Sequence, residues 1–88
     1  MGLDTVELVL DTEKHFNILL PDKELEKVET VELFCKLVRK CCIQNHGFKA
    51  PSYSSIYEFV VSLLVNDYKV KQDQIHPHSR FVKDLGLD

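Results

Sequence analysis

The chain has 88 residues, of which 44% are apolar and 28% are charged, and this length and composition are typical of one small globular domain with a single core. The formal charge is −3, but residues 1–32 carry nine acids and three bases, whereas residues 33–88 carry five acids and eight bases. The acidic first third disfavours a nucleic-acid-binding surface and favours a protein partner with basic patches. Because no apolar run reaches the ~20 residues of a membrane span and no signal-peptide pattern opens the chain, we expect a cytoplasmic or organellar protein.

The first third of the chain has two helical segments. Residues 3–16 predict an amphipathic helix, with Asp4 and Glu7 in the opening turn, where negative charge complements the helix dipole. The residues Leu-Leu-Pro-Asp at 19–22 end this pattern. The segment PDKELEKV, residues 21–28, then predicts a short second helix with its proline near the first turn.

A third helix is predicted over Thr30 to Cys42, where one helical stripe carries Val31, Phe34, Cys35, Val38, Cys41 and Cys42. Three cysteines, two of them adjacent, do not suit a disulfide framework, so we expect a reducing compartment and thiols buried in the core. A metal site formed by Cys41, Cys42 and His46 is the alternative, but no second ligand pair has zinc spacing.

Residues 44–54 lack a periodic pattern and contain helix-breaking residues, which predicts a linker. Ser55 and Glu58 form a capping box, so a fourth helix is expected to begin at Ser55. Its predicted inner face contains Ile56, Phe59, Val60, Leu63 and Leu64.

Residues 71–88 form a long polar loop, which in a compact domain is usually functional or a connector. We expect it to be held against the helices by its apolar residues Ile75, Phe81, Val82, Leu85 and Leu87. The predicted fold class is therefore all-α: one domain, residues 1–88, built as a bundle of three long helices and one short helix.

The stretch LDTVELVLDTEKHFNILLPDKELEKVETVELFCKLV, residues 3–38, resembles the second half of an acyl carrier protein. The stretch FVVSLLVNDYKVKQDQIHPHSRFVKDLGLD, residues 59–88, resembles the first half of the same family. The two halves stand in reversed order, so the chain resembles a circularly permuted acyl carrier protein. The resemblance implies that residues 1–43 match the family's C-terminal half, 44–54 link the halves, and 55–88 match its N-terminal half.

Permuted connectivity implies that Met1 and Asp88 are spatial neighbours at the start of the first helix. Permutation is tolerated when the original termini lie close together and the new break falls in exposed chain. A domain-swapped dimer, in which halves of two chains complete each other, is the alternative to the expected monomer.

Members of this family carry phosphopantetheine on the serine of an Asp-Ser-Leu motif. The resemblance places Asp88 at the aspartate, Gly2 at the serine and Leu3 at the leucine. Glycine has no hydroxyl group, so no phosphopantetheine cofactor is expected on this chain. The resemblance also implies that Ser79 stands at a position that the family does not modify.

The family presents the first turns of its second helix to basic patches on synthases, transferases or assembly factors. The matching acids here are Asp4, Glu7, Asp11 and Glu13, and the matching exposed apolar contacts are Leu3, Val6 and Leu10. A solvated charged face is the alternative. Lys14 and His15 depart from the family by standing where acids are usual, and Thr12 replaces an inward-facing leucine.

No constellation in the sequence suits nucleophilic catalysis, so we do not expect an enzyme. His76 and His78 flank a proline in the final loop and are expected to be solvated, and His15 and His46 are expected at the surface. Two functions remain: a docking module in or near acyl-chain metabolism that cannot carry phosphopantetheine, or an acyl carrier for lipid or polyketide-type synthesis whose attachment serine is altered.

Overall fold

The computed structural model describes residues 3–87, with side chains from residue 4 onward, and within this range the chain is an all-α bundle. The helices are α1 (Leu3–Phe16), α2 (Asp22–Leu25), α3 (Val31–His46) and α4 (Tyr53–Asn66). Two short 3-10 turns lie at Gly47–Lys49 and Gln72–Gln74. The predicted class, a small all-α bundle of three long helices and one short helix, is confirmed.

A single hydrophobic core lies between the helices, and α3 packs along α4 at its centre. The most deeply buried side chains include Leu8, Val31, Phe34, Val38, Ile56, Val60 and Leu64. All three cysteines are also buried and free of disulfides. They act as small apolar core residues, as the helical stripe predicts.

The bounds of α1 agree with the prediction, and the turn after it has a clear physical basis. Asn17 adopts a left-handed backbone conformation with φ of 55°, which asparagine tolerates better than most residues. This turn lets the Ile18 N–H donate to the Glu13 carbonyl oxygen at 3.1 Å.

Helix α2 is shorter than the predicted segment 21–28, because single turns replace it after Leu25.

Helix α3 continues to His46, four residues beyond the predicted end at Cys42. At its start, the Thr30 hydroxyl accepts a hydrogen bond from the Leu33 N–H at 3.2 Å, so Thr30 is the N-cap. The predicted linker, residues 44–54, is therefore largely structured: its first residues belong to α3, and the 3-10 turn Gly47–Lys49 follows directly.

Helix α4 begins at Tyr53, so the predicted start at the Ser55 capping box is wrong. Ser52 is the N-cap, and its hydroxyl accepts a hydrogen bond from the Ser55 N–H at 3.2 Å. The predicted inner face is right for Ile56, Val60 and Leu64, which are buried, whereas Phe59 and Leu63 are half-buried.

The final loop runs across the N-terminus of α3. The N–H groups of Val31 and Glu32 donate to the carbonyl oxygens of Ser79 and Pro77, at 3.0 and 2.8 Å. These bonds satisfy helix-start donors that have no partner within the helix. The loop is anchored by buried Ile75, Phe81, Leu85 and Leu87, but Val82 is 63% exposed, contrary to the prediction.

Candidate functional site

The outward face of α1 combines exposed apolar and acidic side chains. Val6 is 40% exposed and Leu10 is 56% exposed, although both are large apolar residues. Glu7 and Asp11, which alternate with them along the helix, are also exposed. The opposite face of α1 is buried through Leu8 and its neighbours, so this arrangement follows from helical periodicity. These four residues, Val6, Glu7, Leu10 and Asp11, define what we call the α1 face.

Tyr68, which follows α4 and is half-buried, was not singled out by the sequence. Burial raises the pKa of Tyr68 to about 12, and negative charge from Asp11, Glu7, Asp67 and Asp4 adds to the effect. Three of these acids, Asp4, Glu7 and Asp11, are among those that the resemblance assigns to a partner-binding surface. Asp4 itself is half-buried. The acidic region thus extends beyond α1, because Asp67 joins it from the end of α4.

Glu13 differs from the other predicted acids because its carboxylate holds the turn after α1. The Leu20 N–H donates to Glu13 Oε2 at 2.7 Å, and the carboxylate is partly buried. This charge-assisted bond spans seven residues and closes the turn between α1 and α2. We therefore separate Glu13 from the α1 face.

Three of the predicted site positions cannot be placed. Gly2 and Asp88 lie outside the described residues, and so does the side chain of Leu3. The expected proximity of Met1 and Asp88 likewise lies outside them.

The final loop and the first half of α1 share a cavity. Its volume is about 290 Å³, and its wall includes Thr5 and Val9 from α1 together with Phe81 and Val82 from the loop. Most of the remaining wall is apolar, formed by Leu8, Leu25, Val28 and Phe34. Three charged residues, Glu29, Arg80 and Lys83, also border it. An apolar cavity with a few charged groups at its border is a common form of ligand site.

Ser79 is fully engaged in holding the final loop. Its hydroxyl donates to the Gln74 carbonyl oxygen and accepts from the His76 N–H, both at 2.9 Å. The side chain is buried. A serine in this state is not available for modification while the loop is folded.

The histidines have structural contacts. His15 is exposed, as predicted, and stacks on Phe59 with ring centroids 4.0 Å apart. His46 is half-buried, and its Nε2 lies 3.0 Å from the Phe16 carbonyl oxygen, which ties the end of α3 to the end of α1. The rings of His76 and His78 stack on each other.

The alternative metal site at Cys41, Cys42 and His46 is not assembled. In the part of the chain that the structure describes, no group of three or more histidine, cysteine, aspartate or glutamate side chains is placed to hold a metal ion. No helix in residues 3–87 is long and apolar enough to cross a membrane.

The buried thiol of Cys35 gives stability a predictable dependence on pH. Burial raises the pKa of Cys35 from 9.0 to about 12, so between these values the thiol ionises in the unfolded chain but not in the folded one. The contribution of the protonated Cys35 thiol to the free energy of unfolding is therefore complete below about pH 9 and is lost as the pH rises toward 12. We expect the urea midpoint of Cys35→Ala to fall less steeply with pH than that of the unaltered chain above pH 9. If the urea midpoints of the two chains fell equally steeply with pH, the raised pKa of Cys35 would be contradicted.

No family model and no solved structure matches this chain.

Proposed function

We propose that this chain is an acyl-carrier-like docking module that binds protein partners through the α1 face and does not carry phosphopantetheine. The observation that carries the proposal is the exposure of Val6 and Leu10 between the acids Glu7 and Asp11. In the resemblance to acyl carrier proteins, these positions match the helix that contacts partner enzymes.

The α1 face has the two properties that a docking helix needs. Its exposed apolar side chains provide area that is removed from water on binding, which supplies affinity. Its carboxylates attract a basic partner surface, which accelerates encounter and fixes orientation. Asp4 and Asp67 add further negative charge near Tyr68.

Gly2 supports the non-carrier form of the proposal. The resemblance places it at the serine whose hydroxyl would accept phosphopantetheine, and glycine offers no nucleophile for that transfer. Ser79 does not substitute for it, because its hydroxyl is buried and occupied by two hydrogen bonds.

The cavity favours a second candidate function, an acyl carrier for lipid or polyketide-type synthesis. Its volume of about 290 Å³ and its mostly apolar wall suit an acyl chain, and Thr5 in the first turns of α1 forms part of the wall. This function requires a hydroxyl at the attachment position, where Gly2 stands in the resemblance. The two functions therefore differ in a single chemical event, covalent attachment of phosphopantetheine.

Reversing the charges of the α1 face is expected to weaken docking. With a broad-specificity phosphopantetheinyl transferase as the basic partner, Glu7→Lys combined with Asp11→Lys should raise the dissociation constant at least about tenfold, which corresponds to about 1.4 kcal/mol. Both residues are exposed, so the double variant should remain folded. Isothermal titration calorimetry at fixed, low ionic strength measures the change.

Glu58→Lys combined with Asp73→Lys provides the matched control, because both are exposed acids outside α1 and the net charge changes by the same four units. It should leave the dissociation constant nearly unchanged. Equal weakening by both variants would show that overall charge, and not the α1 face, governs binding. Absence of binding by the unaltered chain would also contradict the docking proposal.

A further inference from the structure

The outer face of α3 has the opposite charge to the α1 face. Residues 33–57 contain no acid and four bases, Lys36, Arg39, Lys40 and Lys49. Three of these lie on α3 at positions i, i+3 and i+4, which brings them to one side of the helix. Ile43 follows at i+7, so it continues the same side.

Exposed apolar residues lie on α3 and in the turn that directly follows it. Phe48 is 96% exposed in the 3-10 turn that directly follows α3, and Leu33 and Ile43 are 43% and 47% exposed on the helix. Gly47, with φ of 60°, makes the backbone turn from α3 toward Phe48. We call Leu33, Lys36, Arg39, Lys40, Ile43, Phe48 and Lys49 the α3 face.

Two of the four bases are partly neutralised. Lys36 pairs with Glu32 at 2.8 Å, and Lys40 pairs with Glu24 at 2.9 Å. Both pairs are solvent-exposed, so each is weak and can open when another anion approaches. Arg39 and Lys49 form no ion pair among the described residues, which leaves the α3 face with a net positive charge.

We propose that the α3 face binds the surface of a membrane that contains anionic lipids. Lysine and arginine side chains are attracted to anionic headgroups, while an exposed aromatic ring inserts at the boundary of the acyl chains. The combination of exposed Phe48, Ile43 and Leu33 favours a lipid surface over a nucleic acid, whose backbone offers no apolar layer.

This proposal is independent of docking through the α1 face. The two faces lie on different helices and carry opposite charges. The two interactions use different residues, so failure of one would not remove the other.

The chain contains no tryptophan, so a single introduced tryptophan reports on membrane contact. Phe48→Trp should show a blue-shifted emission on addition of phosphatidylcholine vesicles that contain phosphatidylglycerol, and no shift with pure phosphatidylcholine. Leu10→Trp is the matched control, because Leu10 is an exposed apolar residue on the α1 face. Its emission should not shift with either vesicle.

Charge reversal provides a second readout without a reporter. In co-sedimentation with the anionic vesicles, Arg39→Glu combined with Lys49→Glu should lower the partition coefficient of the chain at least about tenfold. The circular dichroism spectrum of the same variant should remain that of a helical protein, because the change is confined to side chains outside the core.

Several results would overturn the proposal. An unshifted Phe48→Trp emission with anionic vesicles would do so, as would equal binding to both vesicle types. Binding to an RNA oligonucleotide without binding to vesicles would assign the α3 face to another class of partner. Self-association in the absence of vesicles, removed by the same charge reversal, would instead identify a second copy as the occupant.

Discussion

Replacing Phe34 with alanine is expected to lower the free energy of unfolding by about 3–5 kcal/mol. Phe34 is buried on α3, and its ring meets the ring of Phe81 edge-to-face with centroids 5.8 Å apart. This contact packs the final loop onto α3, so the substitution removes core packing and also loosens the loop. Urea unfolding followed by far-ultraviolet circular dichroism measures the loss.

Phe48→Ala is the matched control, because Phe48 is the same residue type but almost fully exposed. It should change the free energy of unfolding by no more than about 0.5 kcal/mol. Since small domains unfold at a cost of about 5–15 kcal/mol, Phe34→Leu serves as a milder variant that should remain folded with an intermediate loss. Equal losses for Phe34→Ala and Phe48→Ala would contradict the packing described here.

Ser79→Ala is expected to lower the free energy of unfolding by about 1–3 kcal/mol, although it removes a single oxygen atom. The hydroxyl is buried and bonds both to the Gln74 carbonyl oxygen and to the His76 N–H. Its removal leaves two part-buried backbone groups, the Gln74 carbonyl oxygen and the His76 N–H, without this partner. The same urea titration measures the effect.

Ser54→Ala tests whether the loss depends on burial, because Ser54 is exposed in the first turn of α4. The free energy of unfolding of the Ser54→Ala variant should stay close to that of the unaltered chain. If Ser79→Ala were as neutral as this control, the hydroxyl would not hold the loop, and the argument that Ser79 is unavailable for modification would fail.

Helical periodicity predicted the long helices and both ends of α1, but it misplaced the end of α3 and the start of α4. The start of α4 was misplaced because Ser52 and Ser55 both have the side chain of an N-cap. The structure uses Ser52 as the acceptor and Ser55 as the donor. The end of α3 was placed too early because apolar residues stop at Ile43, whereas the helix continues through exposed polar residues to His46.

The candidate site was predictable only where it depends on a single helix. The exposure of Val6 and Leu10 follows from their positions opposite Leu8 on α1. The approach of Tyr68 to the acids and the hydrogen bond from Leu20 to Glu13 depend on tertiary packing and chain turns. Periodicity along one segment contains no information about either contact.

The final loop also shows what sequence periodicity does not predict. Its apolar residues were expected to face the core together, but Phe81 is buried while its neighbour Val82 is exposed. In this loop, backbone hydrogen bonds set which side chains point inward. The Phe81 N–H donates to the Glu29 carbonyl oxygen at 3.0 Å, and the Gly86 N–H donates to the Val82 carbonyl oxygen at 3.1 Å. Such turns have no regular period in the sequence.

The intact mass of the chain after incubation with coenzyme A and a broad-specificity phosphopantetheinyl transferase tests the central claim most directly. Gly2→Ser supplies the hydroxyl at the position that the resemblance assigns to the attachment serine, and this variant should gain the mass of one phosphopantetheine group. The unaltered chain should keep its original mass under the same conditions. A gain of one phosphopantetheine by the unaltered chain would contradict the non-carrier proposal and identify an acyl carrier instead.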